Sequence, residues 1–169
     1  EAMPAGAAVG DIVLHEESLN RGSVIRNCRT SNIGTENSST RFRCVAVTFE
    51  NNHFEDFHFW FHAGSNGPRP RDIVLKNNYV SDERIAKITF QQGRNCLLSD
   101  NEFDGVTLDF QKCDGMRVVS NLWRGMRNDQ MSVKASKRST VILDGKNERI
   151  GEAFENWVET DGTSAVQWD

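Results

Sequence analysis

Ile73-Val74-Leu75-Lys76-Asn77-Asn78-Tyr79 is an apolar strand followed by asparagine and a bulky side chain, and the phrase returns along the chain. Before it stand Val24-Ile25-Arg26-Asn27 and Val47-Thr48-Phe49-Glu50-Asn51-Asn52-His53-Phe54. After it come Cys96-Leu97-Leu98-Ser99-Asp100-Asn101-Glu102-Phe103 and Met116-Arg117-Val118-Val119-Ser120-Asn121-Leu122-Trp123. Aligned on Asn27, Asn52, Asn78, Asn101 and Asn121, the spacings are 25, 26, 23 and 20 residues. A strand-bearing period of this size means stacked repeats, each without a core until its neighbours cover it.

A second set of strands follows the asparagine turns: Phe57–His62, Ile85–Phe90, Val106–Phe110 and, more weakly, Met131–Ala135. All alternate with period two, the mark of a strand with one buried face. Asn, Asp and Gly punctuate the turns between, where left-handed backbone costs them little. Two strands per turn, without the hairpin signals of a sandwich, predict an all-β parallel β-helix (solenoid) of about five coils. We place a lead-in or cap at residues 1–20, the solenoid at 21–145, and a non-repeating C-terminal cap at 146–169 with a short helix over 148–158. The polar stretch 28–44 reads as a loop leaving the solenoid, and 63–70 as a second loop stiffened by Pro68 and Pro70.

Composition narrows the partners. A net charge of −4 disfavours nucleic acid, whose phosphates need a basic surface. No apolar run reaches the roughly 20 residues of a membrane-spanning helix, and residues 1–10 lack the build of a signal peptide. A chain opening on Glu1 reads as processed, or as part of a larger parent. Cys28, Cys44, Cys96 and Cys113 show no zinc spacing and read as free thiols, although stacked coils leave disulfides open. No acidic cluster has calcium-ligand spacing. The pattern therefore calls for no metal and no cofactor.

Alternation also predicts a surface. With Phe57, Phe59, Phe61, Ile88, Phe90, Leu108, Phe110 and Val133 turned inward, three outward columns remain. They are His58–Lys87–Thr107–Ser132, Trp60–Thr89–Asp109–Lys134 and His62–Gln91–Gln111. A tryptophan among such polar groups suits a polyhydroxylated ligand: the ring covers sugar C–H surface while the polar groups orient hydroxyls. The candidate catalytic set is Asp109, Lys87 and His58. The candidate binding set is Trp60, His62, Thr89, Gln91, Thr107, Gln111 and Lys134. Plainer readings stand beside these. Asn52, Asn78, Asn101 and Asn121 are first of all turn formers, Trp60 also suits filling the space under the 63–70 loop, and His58, His62, Lys87 and Lys134 suit a solvated face.

The strand–Asn–x–aromatic repeat over residues 20–145 resembles the right-handed parallel β-helix (pectate-lyase-like) superfamily of carbohydrate-active proteins. Within it, Gly67-Pro68-Arg69-Pro70-Arg71-Asp72-Ile73-Val74-Leu75-Lys76-Asn77-Asn78 looks like the later coils of β-helical α-galactosidases. The resemblance implies a glycoside hydrolase, or part of one, acting on a polysaccharide or terminal glycan along one strand face. As the alternative it implies a non-catalytic glycan-binding or structural segment of tailspike or adhesin type, and in third place a polysaccharide lyase. It further implies an extracellular, cell-surface or virion-associated setting and a homotrimer or larger parent chain. Against a complete hydrolase, the sequence offers no second acid column beside Asp109. Inverting pairs need carboxylates roughly 6.5–9.5 Å apart.

Overall fold

The computed structural model describes residues 20–31, 40–42, 44–55, 59–62, 68–81, 87–127, 130–144, 146–150 and 157–169. Among them there is no helix, so none long and apolar enough to cross a membrane. The chain is a parallel β-solenoid with three sheets. The first sheet stacks seven strands: β2 (Val24–Arg26), β6 (Thr48–Glu50), β9 (Val74–Lys76), β12 (Leu97–Ser99), β15 (Met116–Val119), β18 (Thr140–Leu143) and β21 (Ala165–Trp168). The second stacks β3 (Arg29–Ser31), β7 (His53–Glu55), β10 (Tyr79–Ser81), β13 (Glu102–Asp104), β16 (Leu122–Arg124) and β19 (Glu148–Arg149). The third stacks β4 (Thr40–Phe42), β8 (Phe59–Phe61), β11 (Lys87–Gln91), β14 (Thr107–Gln111), β17 (Val133–Ser136) and β20 (Val158–Thr160). A short pair, β1 (Asn20–Arg21) with β5 (Cys44–Val45), lies outside these sheets. Every pairing is parallel and joins one coil to the next.

Each coil thus has three strands where the sequence pattern showed two. The residues after each asparagine, read as a spacer and a bulky group, are themselves strands. Their middle residues Phe54, Val80, Phe103 and Trp123 are buried. Residues 21–145 supply five strands each to the second and third sheets, which matches the expected coil number. The tail differs from its expectation. Instead of leaving the repeat it adds β19, β20 and β21, each paired parallel to the coil before. Both ends of the helix expected over 148–158 are strand; residues 151–156 lie outside the described residues. In this last layer the inward column Phe61–Phe90–Phe110–Ala135 ends on Thr160 and Phe103–Trp123 on Arg149, while Val133, Val141 and Leu143 are followed by Val158, Val166 and the half-exposed Trp168. The 28–44 stretch is likewise partly solenoid, since its ends form β3 and β4.

The bend between first and second sheets explains the asparagines. Asn27, Asn51, Asn77, Asp100 and Ser120 occupy left-handed backbone, φ 52° to 56°, which turns the chain between sheets. After the last four of these, the next residue joins a buried ladder of Asn52, Asn78, Asn101 and Asn121, which Asn147 extends by one coil. Each Oδ1 accepts from the backbone N–H and the Nδ2 of the asparagine one coil earlier, at 2.9–3.1 Å from Asn78 onward. Asn27 is therefore not a rung. Its neighbour Cys28 holds the ladder position, donating its N–H to Asn52 Oδ1 at 3.0 Å, so the first alignment shifts by one residue.

Three of the four thiols are core. Cys44, Cys96 and Cys113 are buried and unbridged, while Cys28 is half-buried. Burial pushes the thiols of Cys44 and Cys96 up to about 12 and that of Cys113 up to about 11, which leaves almost no thiolate at neutral pH. Iodoacetamide added to the native protein should alkylate Cys28 alone, the other three reacting only in denaturant. Intact-mass spectrometry over time reads this, and rapid uptake of two or more labels by the native protein would contradict the packing.

Candidate functional site on the third sheet

Strand register aligns outward residues of the third sheet from coil to coil. Trp60 is in register with Thr89, Thr89 with Asp109, Asp109 with Lys134, and Lys134 with Glu159. Gln91 is in register with Gln111, and Gln111 with Ser136. Lys87 stands beside Thr107. Alternation sets this because Ile88, Phe90, Leu108 and Phe110 are drawn fully into the core, and the residues between must face out. Neighbouring side chains in a column are therefore about one strand spacing, ~4.8 Å, apart at the backbone.

The columns are hydrogen-bonded across. Gln111 Nε2 donates to Asp109 Oδ2 at 3.0 Å, and Lys137 Nζ donates to Gln111 Oε1 at 2.9 Å. Lys134 Nζ lies 2.6 Å from Glu159 Oε2. Trp60 and His62 pack ring against ring with centroids 5.4 Å apart. Below them Asp161 accepts from the backbone N–H of Lys137 at 2.6 Å and from Thr163 and Ser164. Those donors, the Lys137 N–H foremost, hold its carboxyl well below the usual carboxylate range.

Two predicted members do not reach solvent. Thr107 is 2% exposed and Ser132 0%. Thr107 Oγ1 donates to the Met131 carbonyl at 2.6 Å, and Gln130 Nε2 reaches both Thr107 Oγ1 and the Gly105 carbonyl. The segment around Gln130 thus roofs this end of the first column, which the sequence had turned toward ligand. Asp109 is nearly covered as well, at 9% exposed. His58 lies outside the described residues, as does the 63–67 part of the second loop.

Sequence reasoning missed Glu159, Ser136 and Lys137. Glu159 matters most: it is a second carboxylate in the Asp109 column, two strands away, or roughly 9–10 Å at the backbone. A signal for it existed, since Val158-Glu159-Thr160 follows Val133-Lys134-Ala135 by 25 residues and Asn147 follows Asn121 by 26. Among the described residues no group of three His, Cys, Asp or Glu side chains is arranged to hold a metal ion.

Fold and ladder define the class, a parallel β-solenoid with a polar, tryptophan-bearing face. No protein-family model, no curated protein and no solved structure matches the chain.

Proposed function

We propose that this solenoid is a carbohydrate-active protein that takes a glycan along the outer face of its third sheet, as a glycoside hydrolase or part of one. The observation that carries the reading is the register of Trp60, Thr89, Asp109, Lys134 and Glu159. One column offers an aromatic ring for a sugar face, hydrogen-bonding groups, and two carboxylates on strands two steps apart, roughly 9–10 Å at the backbone, where an inverting pair holds its carboxyl groups about 6.5–9.5 Å apart. In this mechanism Asp109 and Glu159 divide the acid and base roles, one protonating the leaving oxygen and the other activating water. Lys134 between them orients Glu159, while Gln91, Gln111, Lys87, His58 and His62 position hydroxyls. The resemblance to β-helical α-galactosidases puts galactose-terminated glycans first among substrates to test.

A second reading, holding without cleavage, is favoured by one observation: both carboxylates already have protein partners, Gln111 for Asp109 and Lys134 for Glu159. The lyase reading is the weakest, since the column's lysine is engaged by Glu159 and a uronate would face two acids.

Glycan-array binding by wild type and Trp60→Ala, with reducing-sugar release assayed on every hit, separates these. Trp60→Ala should weaken binding at least about tenfold, the loss of one aromatic contact. Asp109→Asn and Glu159→Gln should bind as wild type but lose release by about 100-fold or more, the share of a general acid or base. Binding without release in wild type leaves the binding module, and no binding at all sinks the face.

A further inference from the structure

A groove of about 500 Å³ runs along the bend between the first and second sheets, away from the third. Its floor is the asparagine ladder, whose amides are spent on one another and on backbone carbonyls, so the floor is rigid. One wall is the row of bend residues Asn51, Asn77 and Asp100; the other is the outward row of the second sheet, His53, Tyr79 and Glu102. Glu102 and Asp104 both lie on strand β13. Each wall contributes one side chain per coil, so the lining repeats about every 4.8 Å.

These walls are ordered. Asn77 Nδ2 donates to Asn51 Oδ1 at 2.7 Å. His53 stacks on Tyr79 with centroids 4.5 Å apart and planes 21° from parallel. His53 Nε2 is held by Glu55 at 2.6 Å, and the Tyr79 hydroxyl donates to Asp104 Oδ2 at 3.1 Å. Burial, and then that hydrogen bond, push the Tyr79 hydroxyl above its ordinary pKa, so it remains a donor. A ligand would meet rings already fixed, without the entropy of ordering them.

The lining chemistry selects the ligand. Four of these six wall side chains are amides or aromatic rings, two are carboxylates, and among the described residues no lysine or arginine lines the groove. Glu102 has an outside partner in Arg124 at 3.2 Å, while Asp100 is exposed. An anionic polymer would meet two wall carboxylates, and Arg124 beside one of them is already engaged by Glu102. Sugar hydroxyls donate to carboxylates, exchange hydrogen bonds with amides, and leave C–H surface for the rings. We infer that this groove is a second carbohydrate subsite, holding an uncharged oligosaccharide laid across successive coils. The inference rests on the glycan reading above but uses none of its residues. A basic peptide would engage the two carboxylates and leave the amide and aromatic groups idle, so the sugar is the better fit.

Isothermal titration of uncharged hexasaccharides (gluco-, manno-, xylo-, galacto- and chito-series), hexagalacturonate and hexalysine tests it. The proteins are wild type, Tyr79→Ser, Asp100→Lys and Trp60→Ala. An uncharged hexamer should bind wild type, and Tyr79→Ser and Asp100→Lys should each weaken it about tenfold. Hexagalacturonate should not bind wild type. Asp100 is exposed, so its variant keeps the test open should Tyr79→Ser fold poorly. Loss of binding in Trp60→Ala alone would overturn the groove and spare the third-sheet face; loss in the groove variants alone would do the reverse. Groove-dependent binding of hexalysine or hexagalacturonate alone overturns the sugar assignment, and no sugar bound by wild type overturns both.

Discussion

Asn101→Ala should cost on the order of 3–6 kcal/mol of unfolding free energy, more than a surface asparagine can, because one side chain serves four partners. Asn101 Oδ1 accepts from Asn78 N and Asn78 Nδ2, while Asn101 Nδ2 donates to the Leu75 carbonyl and to Asn121 Oδ1. Asn101 is 2% exposed and both neighbouring rungs are buried too, so water cannot replace the lost bonds without opening the bend. Each buried group left without its partner costs about 1–3 kcal/mol, and the four are coupled, so the sum falls below simple addition. Asn101→Asp should be at least as damaging at neutral pH. The carboxylate keeps its acceptor role toward Asn78 but faces the Leu75 carbonyl and Asn121 Oδ1 with lone pairs where the amide had protons. Lys76→Ala, one strand away and exposed, should change stability by less than about 0.5 kcal/mol. Urea titration of the three variants reads the differences. A loss below about 1 kcal/mol for Asn101→Ala would mean the ladder is ornament to a fold held elsewhere.

The ladder is also why the fold was legible. From Asn51-Asn52 to Ser120-Asn121 this bend pairs a left-handed residue with a buried amide, so asparagine recurs at the coil period. The same feature produced the one-residue slip at the start. Asn27 fills the left-handed position, Cys28 fills the rung, and a sequence alignment on asparagine takes the wrong one. The second sheet hid because its three-residue strands show only one inward side chain each, too few to display alternation. The tail hid because Arg149 and Thr160 stand at inward positions, and a polar residue there breaks the pattern that defines a strand in sequence. It is this break that concealed Glu159, the residue that gives Asp109 a second carboxylate in its column.

On the third sheet, five-residue strands with fully buried alternate positions made the outward columns readable to the residue. What they could not convey was cover. Thr107 and Ser132 point away from the core, yet Gln130 and Met131 lie over that end of the column, and the contact joins residues about one coil apart in sequence. The bend groove was invisible for a different reason. Its walls come from two rows that read, one residue at a time, as turn formers and spacers, and only stacking turns them into a continuous lining.

Phe90→Ala should cost about 3–5 kcal/mol, at the upper end for such a truncation, because this core has little freedom to close on the space left behind. Phe90 is fully buried on β11, stacked on Phe61 with centroids 4.5 Å apart and tilted against Phe110 at 5.6 Å. In a bundle, elements can slide together to shrink such a cavity. Here the coil above and the coil below are held at the hydrogen-bonding distance by parallel pairing on three sheets and by the asparagine ladder, so the rings on either side cannot approach without breaking backbone bonds. Phe90→Leu keeps most of the volume and should cost about 1–2 kcal/mol, and the difference between the two variants isolates the cavity. The effect should also reach the face. Phe90 is the inward anchor between Thr89 and Gln91, so loosening β11 disorders Thr89, the step between Trp60 and Asp109. Chemical denaturation measures the first effect. Hydrogen exchange at the amides of Thr89 and Gln91 measures the second, with faster exchange expected in Phe90→Ala than in Phe90→Leu. Equal stability of the two variants would show that coils do collapse axially, and that the spacing of the outward columns is softer than the ladder implies.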